Sequence, residues 1–338
     1  MIKVAFFDTK PYDRTWFDAL NTKYELVYFE SKLNAQTAQL AKGCRGVCAF
    51  VNDDVSAAAI NILHQNGVEV LAMRSAGYSN VDFRAAHGKL TIVRVPAYSP
   101  YAVAEHAMGL LQTLNRKIHR GYIRTRDFNF SLVGLTGVDL HGKTAGVIGT
   151  GKIGRVFIDI CRGYGMRVLA YDPYPSKQVQ ATYVPLDTLL RESDVISLHC
   201  PLTEYSRHIL NRDAFAKMKA GVFIINTSRG ALIDSSALLD ALNQERVRGA
   251  GLDVYEEEAD LFFEDLSGQI VRDNVLSLLM SRPNVIITSH QGFFTEEALQ
   301  NIAQTTLSNL DEYFEGRALS NEVCYCSESG KVSEQCGR

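Results

Sequence analysis

The sequence predicts an α/β protein with two doubly wound parallel sheets, and three observations carry that expectation. Short apolar runs alternate with helical patterns, a glycine triplet follows one such run, and charged residues follow several others. With 338 residues, 46% of them hydrophobic, the chain can bury substantial cores, and its length suggests two domains.

Taken in order, residues 2–7, 25–29, 46–51 and 68–71 read as strands separated by segments of mixed polarity. A long helical stretch, roughly 102–120, follows them. A second series of strands is predicted at 144–149, 167–171, 195–198, 222–226, 249–253 and 285–288, the spacing of a larger Rossmann-type domain. Residues 296–314 then resume helical periodicity. No solenoid repeat or low-complexity linker interrupts the pattern, only a Gly- and Asp-containing crossover around 133–142.

Composition excludes several function classes. A net charge of −3 argues against a polyanion partner, so no nucleic acid is expected. The local basic stretch Arg116, Lys117, Arg120, Arg124 and Arg126 reads as a solvated helix face or subunit contact. The first apolar run is too short for a signal peptide, and no run approaches a membrane span. Seven cysteines without zinc-like spacing fit a reducing cytoplasm, with Cys44, Cys48, Cys161 and Cys200 as small apolar residues. Neither a disulfide nor a metal site is expected. From Asn321 onward, Cys324, Cys326 and Cys336 fall in a segment of little periodicity, which reads as a frayed terminus.

Gly149-Thr150-Gly151-Lys152-Ile153-Gly154 follows a strand and opens a helical pattern, the context that a dinucleotide site requires. The first glycine permits the turn, the second admits a pyrophosphate and the third allows close helix packing. The next strand ends in Asp172, at the distance where a carboxylate meets the adenosine ribose hydroxyls. No arginine immediately follows to accept a 2′-phosphate, so NAD is expected rather than NADP.

Arg229, Glu258 and His290 each lie just past an apolar run, where open α/β sheets place reactive groups. A guanidinium fork suits a carboxylate, an imidazole titrates where a carbonyl needs its proton, and a nearby carboxylate favours the protonated ring. Together they outline a hydride-transfer site for a small 2-oxo acid. Singly, each also has a bland reading, as a solvated arginine, a structural histidine or an acidic turn.

The stretches Asn226-Thr227-Ser228-Arg229-Gly230, Gly251-Leu252-Asp253-Val254-Tyr255-Glu256-Glu257-Glu258 and Ser289-His290-Gln291-Gly292-Phe293-Phe294-Thr295 resemble signatures of the D-2-hydroxyacid dehydrogenases, the last being most similar to the D-lactate dehydrogenase branch. The resemblance implies a flavodoxin-like substrate domain, discontinuous over 1–99 and 299–338, and an NAD-binding Rossmann domain over 100–298. It implies cofactor contacts at Cys200, Pro201, Ser206, Thr227, Ser228, Arg229 and Asp253, with Thr203 in the same loop. It also implies that backbone amides of Ser75, Ala76 and Gly77 receive the substrate carboxylate. Tyr98 faces the substrate or packs as a buried ring, and Phe293 walls the pocket. Tyr101 departs from the small polar residue of many relatives.

The implied reaction is NADH-dependent reduction of pyruvate to D-lactate, with Arg229 on the carboxylate and His290 as acid oriented by Glu258. Glycerate, phosphoglycerate and formate dehydrogenases share the scaffold. Formate enzymes carry glutamine in place of the glutamate, and the chain ends too soon after its last helix for an added regulatory domain. An NAD-sensing corepressor is the alternative from another class. A homodimer or homotetramer is expected by resemblance.

Overall fold

In a computed structural model of the chain, residues 1–257, 261–326 and 331–333 are described. Its strands, in chain order, are β1 (Ile2–Phe6), β2 (Tyr24–Tyr28), β3 (Gly46–Ala49), β4 (Val70–Met73), β5 (Thr91–Arg94), β6 (Thr144–Ile148), β7 (Arg167–Tyr171), β8 (Thr182–Tyr183), β9 (Val195–Leu198), β10 (Val222–Asn226), β11 (Val247–Leu252), β12 (Val285–Ile287), β13 (Glu322–Cys326) and β14 (Lys331–Ser333). The chain divides into two compact units, 1–99 with 294–338, and 100–293.

The first unit holds one sheet in the order β14-β13-β5-β4-β3-β1-β2, whose first five strands in the chain pair in parallel with flavodoxin-like order. Strands β3 and β4 are buried on both faces, which is why they read as continuous apolar runs. One face is covered by the helix Glu296–Phe314, whose Ala303, Leu307 and Leu310 join Val4, Phe6, Val70 and Val93 in one core. Thr295 starts that helix by accepting a hydrogen bond from the Ala298 N–H.

The second unit holds the order β12-β11-β10-β9-β6-β7-β8, with every pairing parallel. This is a Rossmann arrangement, in which the chain reverses direction across the sheet between β6 and β9. The helix Pro100–Arg116 places Ala104, Ala107, Met108, Leu111 and Leu114 in one core with Phe157, Ile158 and Cys161 of the helix Lys152–Gly163.

Four sequence expectations need correction. The helical stretch 102–120 is broken at Lys117, whose φ of 51° is left-handed, so two helices, Pro100–Arg116 and Ile118–Arg126, replace one. The tail is paired: Glu322 and Val323 of β13 lie antiparallel to Val93 and Ile92 of β5, because a bare sheet edge offers unsatisfied N–H and C=O groups. Cys324 is disulfide-bonded, although free thiols were expected. Strand β5, whose two buried apolar residues Ile92 and Val93 are flanked by Thr91 and Arg94, and the two-residue β8 carry too little apolar sequence to have been read as strands. Cys336 lies outside the described residues.

Candidate active site

The cofactor end of the second unit is shaped by three glycines with three different steric reasons. Gly149 has φ +94°, and a Cβ there would lie 2.6 Å from the Cys200 nitrogen and the His199 carbonyl carbon. At Gly154 a Cβ would lie 2.1 Å from the Gly149 oxygen, so only glycine lets the helix start pack this closely. Around Gly151 the corresponding space is open. Gly151 also caps the helix Lys152–Gly163 without a side-chain hydrogen bond, leaving first-turn N–H groups to an anion. Lys152 is exposed at this end, and Ile153 packs on the core beneath.

Asp172 is fixed by Thr150, which stands between the first two glycines of the triplet at a position the motif leaves open. Its Oδ2 accepts the Thr150 N–H at 2.7 Å and the Thr150 hydroxyl at 2.9 Å, and Tyr183 donates to Thr150 Oγ1 at 2.9 Å. After β9, the Ser206 hydroxyl donates to Pro201 O at 2.7 Å and accepts the Thr203 N–H at 2.7 Å, which closes the loop after Cys200. Ser228 Oγ ties that loop to β10 by donating to Cys200 O at 2.6 Å. The buried Thr227 hydroxyl has no hydrogen-bond partner among the described residues, although buried hydroxyls rarely stay unpaired. An open glycine, an uncapped helix start and an orphaned hydroxyl at strand ends of one sheet suit a bound dinucleotide.

Arg229 and His290 leave that same edge in step. Asn226 of β10 is level with Leu252 of β11, which is level with Ile287 of β12, and Arg229 and His290 each follow their strand end by three positions. Arg229 is held by Asn226, whose amide donates to Arg229 O at 2.9 Å and accepts the Ser228 N–H at 3.0 Å. Its own Nη1 donates to Ser228 O at 2.7 Å. A Cβ on Gly230 would lie 2.0 Å from the Tyr255 carbonyl, so glycine alone lets the Arg229 turn pack against the Tyr255–Glu256 backbone. His290 has φ +54°, donates its N–H to Asp253 O at 2.8 Å, and has the Phe263 ring at 5.9 Å. Glu258 lies outside the described residues. Phe293 is buried in the same unit.

In the first unit, the loop 74–80 follows β4 and is braced from three directions. The buried Arg74 guanidinium donates to Phe7 O at 3.0 Å and Asp8 O at 2.7 Å, with the rings of Phe6 and Phe50 each 4.7 Å away. Arg94 donates to Ala76 O at 2.7 Å, and Asn80 donates to Phe50 O at 2.9 Å and Asp53 O at 2.8 Å. Within the loop, Ser75 Oγ donates to Gly77 O at 2.8 Å. Tyr98 is half-buried, and its carbonyl accepts from Asn301 at 2.8 Å. Asn226 stood inside a quoted motif, but nothing in its spacing, or in that of Arg74 and Arg94, marked these residues as braces.

Comparison with known proteins shows the family of the chain. Residues 108–292 match the family model described as D-isomer specific 2-hydroxyacid dehydrogenase, NAD binding domain. D-lactate dehydrogenase of Escherichia coli (strain K12) is 52% identical over 328 residues, which cover 95% of this chain and 100% of that protein. The apo structure of D-lactate dehydrogenase from Escherichia coli matches with a TM-score of 0.88 at 51% identity, covering 95% of this chain and 99% of that one. The structure described as the pyruvate reductase of Chlamydomonas reinhardtii matches with a TM-score of 0.90 at 42% identity, covering 95% and 98%.

Proposed function

Because the chain belongs to the D-isomer-specific 2-hydroxyacid dehydrogenases and is an NAD-dependent oxidoreductase of that family, we propose that it catalyses the reversible reduction of pyruvate to D-lactate. When bound, the nicotinamide supplies the hydride for C2 of the substrate. Arg229 pairs with the substrate carboxylate, for which a permanently charged planar fork is suited. His290 donates its proton to the alkoxide oxygen as it forms, and takes it back in the oxidative direction. Glu258 is assigned from the sequence the task of orienting His290 and favouring its protonated form. Ser75, Ala76 and Gly77 are proposed to offer backbone N–H groups to the carboxylate, with Tyr98 and Phe293 shaping the pocket. Gly149, Gly151, Gly154, Asp172, Thr227 and Asp253 are proposed to hold the cofactor, with 100–298 as its domain.

The observation that carries this reading is the shared strand-end register of Arg229 and His290, which supports the roles proposed for them by having them follow strands of one sheet at the same level. Steady-state NADH oxidation tests it with pyruvate, hydroxypyruvate and longer 2-oxo acids. Pyruvate is expected to lead in kcat/KM by about tenfold or more, the scale on which a pocket rejects an added methylene. A preference for a longer acid would move the substrate assignment, and NADH binding without turnover of any acid would favour a sensor.

Two coarser properties complete the proposal. No helix among the described residues is long and apolar enough to cross a membrane. A cytoplasmic setting is proposed because Cys44, Cys48 and Cys161 are buried free thiols, with the disulfide at Cys324 the feature that stands against it. A homodimer is proposed because Phe128, Phe130, Leu132 and Val133 are each at least 70% exposed, an apolar run that a second copy would cover. Light scattering at micromolar concentration should give twice the chain mass. A monomer would refute the dimer, and four times the mass would indicate further assembly.

A further inference from the structure

The His290 turn is held in a costly backbone conformation, and one of the groups that hold it lies far away in sequence on a helix without a motif. A left-handed φ brings Cβ against the following carbonyl and costs about 1–2 kcal/mol for a residue other than glycine. His290 adopts it at φ +54°.

Asp253 opposes that cost from below. Its backbone oxygen accepts the His290 N–H at 2.8 Å, and its carboxylate accepts the Gln291 N–H at 2.9 Å, the Gly292 N–H at 2.7 Å and the Thr288 hydroxyl at 2.6 Å. A Cβ on Gly292 would sit 2.9 Å from Oδ2, so glycine is what allows this approach. Burial works against the carboxylate's charge. The bonds from His106 and Thr288 outweigh it and hold the Asp253 pKa below the usual carboxylate value.

His106 lies in the helix Pro100–Arg116, with Nε2 3.2 Å from Asp253 Oδ1 and 3.1 Å from Thr288 Oγ1. The single hydroxyl proton of Thr288 is directed to Asp253, so Thr288 can offer His106 only lone pairs. His106 Nε2 therefore carries a hydrogen and points it between two acceptors.

We infer that His106 is a positioning residue for the reaction: its Nε2–H fixes the Asp253 carboxylate and the Thr288 hydroxyl, which in turn hold the His290 turn in its left-handed conformation. This rests on the reading of His290 as the proton donor. Loss of the Nε2–H leaves the buried carboxylate with one donor fewer and lets the turn relax; because Asp253 is also proposed to hold the cofactor, the KM for NADH shifts too, but by less than kcat falls.

The experiment compares His106→Leu, His106→Asn, His106→Gln and His290→Gln as full-length enzymes with pyruvate and NADH. Replacement by Leu should lower kcat about tenfold while the KM for NADH stays within about threefold. Replacement by Asn keeps polarity but cannot reach the Nε2 position, and should resemble Leu, which provides a second test if the Leu variant does not fold. Replacement by Gln can place an amide N–H there and should recover kcat to within about threefold of wild type. Wild-type kcat in both the Leu and Asn variants would overturn the inference, as would a Gln variant as impaired as they are. If His290→Gln keeps its turnover, the reading of His290 as acid falls, and this inference with it. If that variant is inactive while Leu and Asn are unimpaired, only the inference fails.

Discussion

In the first unit a buried cation secures the loop 74–80, whereas in the second a buried anion secures the turn 290–292. Arg74 donates to two carbonyls and has Asp13 at 3.4 Å, with the buried carboxylates of Asp8 and Asp53 also acting on it. Asp253 instead receives two backbone N–H groups, a hydroxyl and an imidazole. Asp53 and Asp253 are almost equally buried, 2% and 1% exposed, yet their titrations move in opposite directions. For Asp53, desolvation outweighs Arg74 and the two N–H donors of Phe50 and Leu33, and its pKa rises to about 6. For Asp253, four donors outweigh desolvation and the pKa falls. The balance of donors and nearby charge, not depth alone, decides whether a carboxylate stays ionised.

The largest test of this contrast removes the cation. Arg74→Met leaves acidic groups buried without their counter-charge and should cost about 3–5 kcal/mol of stability in urea unfolding. A loss below about 1 kcal/mol would mean that these acids are already neutral in the folded protein. Asp253→Asn removes the charge but keeps an acceptor, so a smaller loss of about 1.5–3 kcal/mol is expected, the range for hydrogen bonds to a charged group.

A third test concerns pH, where the effect accrues gradually per pH unit and its sign separates the two carboxylates. Asp53 has a folded pKa raised to about 6 from 3.8, so the folded state holds its proton more tightly. Its contribution is therefore fully present below about pH 4 and is lost as pH rises through about 6, at up to about 1.4 kcal/mol per pH unit. Asp253 runs the other way, its contribution being lost as pH falls. Unfolding curves of wild type and Asp53→Asn at pH 4, 5, 6 and 7 should show the wild type losing stability relative to the variant up to pH 6, then a constant difference. A constant difference from pH 4 would contradict the raised pKa.

How much of this could be read in advance depended on sequence distance. The strand-end placement of the glycine triplet, Asp172, Arg229 and His290 was legible because each follows an apolar run, and strand ends in a doubly wound sheet are where ligands bind. Their braces were not legible. Arg74 reaches carbonyls 66 and 67 residues away, and His106 reaches Thr288 across 182 residues. Such contacts leave no periodicity, since each partner alone looks like an ordinary polar residue near an apolar segment. The tail was misread for a related reason: β13 is specified by the free edge of β5 rather than by its own apolar pattern.

The sequence by itself determined the two doubly wound sheets and the strand ends that Arg229 and His290 follow, because hydrophobic periodicity and glycine placement are local properties of the chain. Only the tertiary structure decided which polar side chains hold those ends in place. A buried hydrogen bond needs distance and direction between groups that only folding brings together, and at His290 those bonds sustain a backbone conformation that local preference disfavours.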